Sequence, residues 1–116
     1  MTSQVTVSSD ALGVVVSHSE GRTVVTLNGE LDATTAPKLS QQFAELSRSG
    51  HHDVDLDLAK LESMDSTGLA LVVAEHKRTQ SNGGRLVILS PTRGVIRLFQ
   101  TSGLMSYLVV KPRMSV

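Results

Sequence analysis

Apolar and polar residues alternate at the start of the chain, where Val5 and Val7 sit among serines and threonines. Runs rich in β-branched residues follow at 12–16 and 23–27. This patterning predicts strands, and Ser19-Glu20-Gly21-Arg22 between the two runs reads as a hairpin turn. Asn28-Gly29-Glu30-Leu31-Asp32 ends the strand pattern. The period then changes: Ala36, Leu39, Phe43 and Leu46 step by three and four onto one helical face. Thr34 or Thr35 is placed to cap that helix, Pro37 is tolerated in its first turn, and Gly50 closes it. Val54, Leu56 and Leu58 share one side of a fourth strand. A second helix is predicted over 66–80, ended by Asn82-Gly83-Gly84. The unbroken apolar run 86–89 has the character of a strand covered on both faces. Ser90-Pro91-Thr92 opens a third helix with Val95, Ile96 and Phe99, stopped by Gly103, and 108–110 forms a last short strand.

The order β-β-β-α-β-α-β-α-(β) predicts an α/β fold, a mixed central sheet flanked by helices. It pairs as hairpins early and in parallel where helices intervene, with right-handed crossovers. If strand 23–28 runs parallel to strand 54–58, the loops at 29–34 and 59–66 emerge side by side. They lie at the edge where α/β sheets place ligand and partner sites. Asp32 then neighbours Asp65, Ser66 and Thr67.

The 116 residues suit one domain over 1–116, with its core at about 10–110 and short loose tails. Eleven basic and eleven acidic residues cancel, and only three residues are aromatic. That gives no basic field and few stacking platforms for nucleic acid. The absence of cysteine removes any disulfide or thiolate chemistry. The N-terminal residues lack a signal-peptide pattern, and the apolar runs are far shorter than the ~20 residues of a membrane span. A cytoplasmic protein without membrane attachment is expected.

The densest chemistry lies at Met64-Asp65-Ser66-Thr67-Gly68. Against the Asp-(Thr/Ser)-Gly of aspartic proteases, the glycine stands one position late and the context is strand-to-helix. No G-x-S-x-G is present, and His18, His51, His52 and His76 show no convergence on Ser66. A phosphate-cradling P-loop is missing. Asp53, Asp55 and Asp57 alternate, but Leu58 and Met64 stand where a calcium loop needs glycine and glutamate. Catalytic residues, metal ligands and cofactors are therefore not expected. Asp65 or Ser66 reads as a helix cap. Gly68 in the first turn costs about 1 kcal/mol against alanine, which suggests that something approaches the backbone closely there. The helix it opens carries Leu69, Val72, Val73 and His76 on one stripe and Ala70, Leu71 and Ala74 around the rest. Its first two turns are apolar nearly all round, fit for a neighbouring helix or for a partner.

Taken together, Gly29-Glu30-Leu31-Asp32 before a Thr/Ala/Pro helix start, Val54-Asp55-Leu56-Asp57-Leu58, and Met64-Asp65-Ser66-Thr67-Gly68-Leu69 resemble the STAS domain of bacterial anti-sigma factor antagonists. The likeness extends over about residues 10–110. It implies a single STAS-like domain acting as a regulatory binding module rather than an enzyme. It also implies phosphorylation at Ser66 or Thr67, with Ser66 favoured, by an anti-sigma factor that is itself a serine kinase with a histidine-kinase-like ATPase domain. The unphosphorylated form would bind that kinase and free the sigma factor, a partner-switching control of stress-response transcription. A PP2C-type phosphatase would reset it. The residues implied for partner contact are Asp32, Thr34, Asp65, Ser66, Thr67, Gly68, Leu69 and Val72, in a monomer or weak dimer. Two other expectations stay open: a STAS scaffold subunit of a stress-signalling assembly, and a small-ligand or nucleotide-binding STAS domain.

Overall fold

The computed structural model describes residues 3–8 and 11–112; the expected tails at 1–2 and 113–116 lie outside the described residues. Three strands come first: β1 (Ser3–Ser8), β2 (Leu12–Ser19) and β3 (Arg22–Leu31). Helices and strands then alternate as α1 (Ala36–Arg48), β4 (Asp53–Met64), α2 (Ser66–Ser81), β5 (Arg85–Leu89), α3 (Arg93–Thr101) and β6 (Val110–Lys111). This is the order expected from the pattern. The strands lie side by side in chain order, β1-β2-β3 antiparallel and β3-β4-β5-β6 parallel. Ser19 pairs with Arg22 across the β2–β3 hairpin, and Glu20 and Gly21 both take positive φ, 52° and 79°. That is the primed turn whose twist matches the flanking strands.

One expectation fails. Residues 59–64, read as a loop, are strand, and β3 likewise continues through residues 28–31. Register shifts between Thr26 and Asn28 and between Gly29 and Glu30 absorb the break in alternation. The two strands therefore stay paired until Leu31 meets Met64, and Leu61 is buried in the core.

The core occupies one face of the sheet. Leu12, Val14, Val16, Val25, Leu27, Val54, Leu56 and Leu58 are buried at alternate positions, and they join one cluster with residues of all three helices. Right-handed crossovers between strands laid in chain order bring α1, α2 and α3 over that same face. The other face carries half-buried Val15, Val24, Thr26, Asp55 and Asp57. Asp55 is held there by a bidentate Arg22 guanidinium at 2.5 and 3.2 Å, and Asp57 accepts the Ala59 amide at 3.0 Å. Asp55 and Asp57 are thus tied down singly, and Asp53 is exposed. Among the described residues no group of three or more His, Cys, Asp or Glu could hold a metal ion. No helix among them is long and apolar enough to cross a membrane.

α2 buries Gly68, Leu69, Val72, Glu75, His76 and Thr79, a stripe of helical spacing. Val73, expected on it, is only half-buried, whereas Glu75 and Thr79 join it. These polar residues are tolerated because Glu75 is paired with Arg78 and the Thr79 hydroxyl donates to the Glu75 carbonyl at 3.0 Å. The demand for glycine at 68 comes from inside the protein. A Cβ there would stand 2.7 Å from Leu31 Cγ and 3.0 Å from Met64 Cγ. The helix start thus rests on the last residue pair of the β3–β4 ladder.

Gly68→Ala is expected to lower unfolding stability by about 1–3 kcal/mol through overpacking, although alanine is the better helix former by about 1 kcal/mol. Urea denaturation reads the loss. Pairing the change with Leu31→Ala should give a smaller total than the two single costs summed, because removing the obstruction relieves the clash.

Candidate functional site

Beyond the Leu31–Met64 pair both chains turn out of the sheet at the same edge. Asp65 N–H donates to the Leu31 carbonyl at 3.1 Å, so Asp32 and Asp65 leave from neighbouring strand ends. Each carboxylate then organises its own turn. Asp65, extended at φ −103° and ψ −174°, is the N-cap of α2; its Oδ1 accepts the amides of Thr67 at 3.0 Å and Gly68 at 3.1 Å. This satisfies two of the donors that a helix start leaves open and puts negative charge at the positive end of the dipole.

Asp32 does the same for the turn before α1. Its Oδ1 accepts the amides of Thr34 at 2.9 Å and Thr35 at 3.1 Å, and its carbonyl accepts the Ala36 amide at 2.8 Å. Thr35 holds the N-cap position of α1 but makes no side-chain cap. Its hydroxyl is spent inward, donating to the Glu30 carbonyl at 2.8 Å and accepting the Asp32 amide at 3.0 Å. Thr35 thus holds the expected cap position but does not cap with its side chain; the Asp32 carboxylate instead accepts the two amides just before the helix. Thr35 is buried, which its place in a polar turn gives no sign of, and it is not among the residues implied for partner contact.

Ser66 and Thr67 occupy the first helical turn and are both exposed. Among the described residues neither hydroxyl has a hydrogen-bond partner. Thr67 also faces an open groove of about 500 Å³ between the starts of α1 and α2, lined by Ala33, Ala36, Pro37, Ser40, Ala70 and Leu71. The site thus combines two free hydroxyls, two carboxylates already committed to backbone amides, and a neutral apolar wall.

The structure brings Asp32, Thr34, Asp65, Ser66 and Thr67 to one edge, and separates others. Val72 has no exposed surface and Leu69 is 8% exposed, so both face the core, not a partner. The reason is the phase of α2: its N-terminus sits down on Leu31 through Gly68, itself buried, and that turns positions 69 and 72 inward. Ala70, exposed, and Leu71, half-buried, present the outward apolar surface instead. Glu62 lines a different hollow with Glu30 and Asn28 beside the β3 bulges. His76 is buried against the Tyr107 ring, His18 and His51 stack on each other, and His52 meets Arg78, so none of the four histidines reaches Ser66.

The family model described as "Mlab, STAS domain" matches residues 14–110. An anti-sigma-B factor antagonist from Staphylococcus epidermidis is 40% identical over 80 residues, which span 69% of this chain and 74% of that protein. Among solved structures, an anti-sigma factor antagonist from Mycobacterium paratuberculosis superposes with a TM-score of 0.81 at 23% identity, covering 92% of this chain and 91% of that one. The antagonist SpoIIAA is similar in its unphosphorylated form, with a TM-score of 0.74 at 24% identity over 86% of this chain and 89% of that one. The phosphorylated form of the Bacillus protein gives 0.69 at 22% identity over 86% and 92%. These structural likenesses, all under 25% identity, bear on the fold. Together, the family match over residues 14–110 and the staphylococcal relative show that this chain belongs to the STAS-domain family of anti-sigma factor antagonists.

Proposed function

We propose that this chain works by partner switching: unphosphorylated, it binds an anti-sigma factor that is also a serine kinase and so frees the sigma factor; phosphorylated at Ser66 or Thr67, it lets the kinase go. A PP2C-type phosphatase restores the binding form. The observation that carries this reading is the pair of exposed, unbonded hydroxyls on a carboxylate-capped helix start, flanked by an apolar groove. The partner surface comprises Asp32, Thr34, Asp65, Ser66 and Thr67, extended by Ala70 and Leu71 along the groove.

The physics of the switch follows from what the phosphate meets. It adds about −1.5 to −2 charge at pH 7. The helix N-terminus accepts an anion without refolding, and the core beneath it, Gly68 on Leu31, is untouched. The partner bears the cost. A surface built on neutral hydroxyls beside two carboxylates gains a dianion, and an unpaired anion or like charges buried at an interface cost about several kcal/mol. Each ~1.4 kcal/mol is tenfold in affinity. The fold stays, and the docking face becomes repulsive.

The Ser66→Asp, Thr67→Asp double variant is expected to melt within a few degrees of the wild type and to bind the anti-sigma factor at least about a hundredfold more weakly. Calorimetric titration checks this, and undiminished affinity sinks the charge argument. Ser66→Ala with Thr67→Ala should abolish ATP-dependent phosphate incorporation by the kinase; phosphopeptide mass spectrometry that finds the label at another residue refutes the site. Asp32→Ala, by freeing the Thr34 and Thr35 amides, should cost about 1–2 kcal/mol of stability. It should also weaken kinase binding or phosphorylation, and wild-type behaviour in both assays would separate the two loops functionally.

A further inference from the structure

Three histidines gather at the opposite end of the sheet, where β3, β4 and β5 begin. His18 of β2 and His51, two residues before β4, stack with ring centroids 4.2 Å apart and planes 19° from parallel. His18 Nδ1 lies 2.9 Å from the hydroxyl of Thr23, a buried residue. His51 is fixed by the backbone that closes α1: Gly50, at φ 75°, donates to the Ser47 carbonyl at 3.2 Å, and His51 N–H donates to the Leu46 carbonyl at 2.9 Å. This 6→1, 5→2 pair of bonds is a Schellman closure. His52 Nδ1 stands 2.8 Å from Arg78 Nη1. A guanidinium only donates, so His52 Nδ1 accepts and carries no proton. Arg78 also donates to the His51 carbonyl at 3.0 Å while holding the buried Glu75 at 2.7 and 2.8 Å.

We propose that His18, His51 and His52 form an acid-labile latch that fastens the α1–β4 turn to β2 on one side and to α2 on the other. The two ring contacts, the His18–His51 stack and the His52–Arg78 bond, need neutral rings, whereas the Arg78 bond to the His51 carbonyl does not. Protonating both members of the stack sets two cations face to face. Protonating His52 at Nδ1 removes the acceptor that Arg78 uses and opposes it with a second positive charge.

The surroundings offer little to compensate. The hollow beside the stack, of about 400 Å³, receives Val5 from β1, Val16 from β2, and Gln42 and Glu45 from α1. Glu45 is exposed and already paired with Arg48. β3 contributes the Thr23 hydroxyl, with the next cation, Arg22, committed to Asp55. α2 contributes Arg78 with Glu75, and from β5 the Arg85 amide donates to the His52 carbonyl at 2.9 Å. Glu20 and Asp53, neighbours along the chain, are exposed. Burial, and then the charge of His51, hold His18 below the ordinary histidine value of 6.5. The folded state thus takes up this proton at lower pH than the unfolded chain. Its contribution to stability is complete above about 6.5 and is lost as the pH falls below it. The latch does not rest on the phosphorylation reading, since none of its residues lies at the hydroxyl end of the sheet.

The test is urea unfolding of the full chain at about pH 7.5 and about pH 5.5, a window in which histidines titrate. The comparison is the His51→Phe, His52→Asn double variant, which keeps a ring to stack and an oxygen for Arg78 but has no proton to gain at either place. The wild-type midpoint should fall on acidification, and the variant's should fall by less, since His18 remains partly buried in it but has lost its charged neighbour. An equal fall in both, or no fall in the wild type, overturns the proposal. Should the double variant not fold, His51→Phe alone decides: the His18 ring resonances should titrate at higher pH in it than in the wild type, and no difference between the two overturns the proposal.

Discussion

The parallel pairing of β3 with β4, carried through two register shifts to its last pair at Leu31 and Met64, sets the geometry of everything around the candidate site. Had the strands parted at residue 58, as alternation alone suggests, the chain would reach Asp65 through a free loop. Because they stay together, Asp65 bonds to the Leu31 carbonyl and the first turn of α2 is seated on the Leu31 side chain. Two helix starts are thereby anchored to adjacent strand ends. Each is closed by an aspartate whose carboxylate goes to backbone amides.

That anchoring lets one helix serve two purposes. The inward side of α2 belongs to the core through Leu69 and Val72, and its outward side borders the groove through Thr67, Ala70 and Leu71. A modification at an exposed hydroxyl changes the electrostatics of the outer surface while the packed side keeps its contacts. Packed interiors respond to even one added methylene, so a switch that must leave the fold intact belongs on groups with no interior contact. Ser66 and Thr67 meet that condition and Gly68, the next residue, does not.

The two ends of the sheet use polar chemistry differently. At the C-terminal edge the carboxylates satisfy backbone donors and leave two hydroxyls free. At the other end the polar groups consume one another: Glu75 with Arg78, Arg78 with His52 and the His51 carbonyl, His18 with Thr23. A buried carboxylate such as Glu75 persists only because it is fully paired; removing one partner from such a pair costs about 3–5 kcal/mol.

Much of this molecule is written in short-range patterns. The order of elements, the β2–β3 turn, the helical spacing of Ala36, Leu39, Phe43 and Leu46, and the Asp65 cap depend on interactions within a few residues, so the sequence by itself determined them. The same holds for the cluster of carboxylate, hydroxyls and glycine at 65–68 and for the family resemblance it carries. Tertiary structure alone decided the rest. Bulges prolonged β3 and β4 where alternation had lapsed, and the phase of α2 on Leu31 turned Leu69 and Val72 inward and Ala70 and Leu71 outward. Thr35 was drawn under the Asp32 turn, His18 of β2 met His51 of the α1–β4 turn, and His52 met Arg78 of α2. Each of these outcomes is set by partners more distant in the chain or by which face a packed element presents. A one-residue change of register or a partial turn of a helix reverses such an outcome without altering any local pattern.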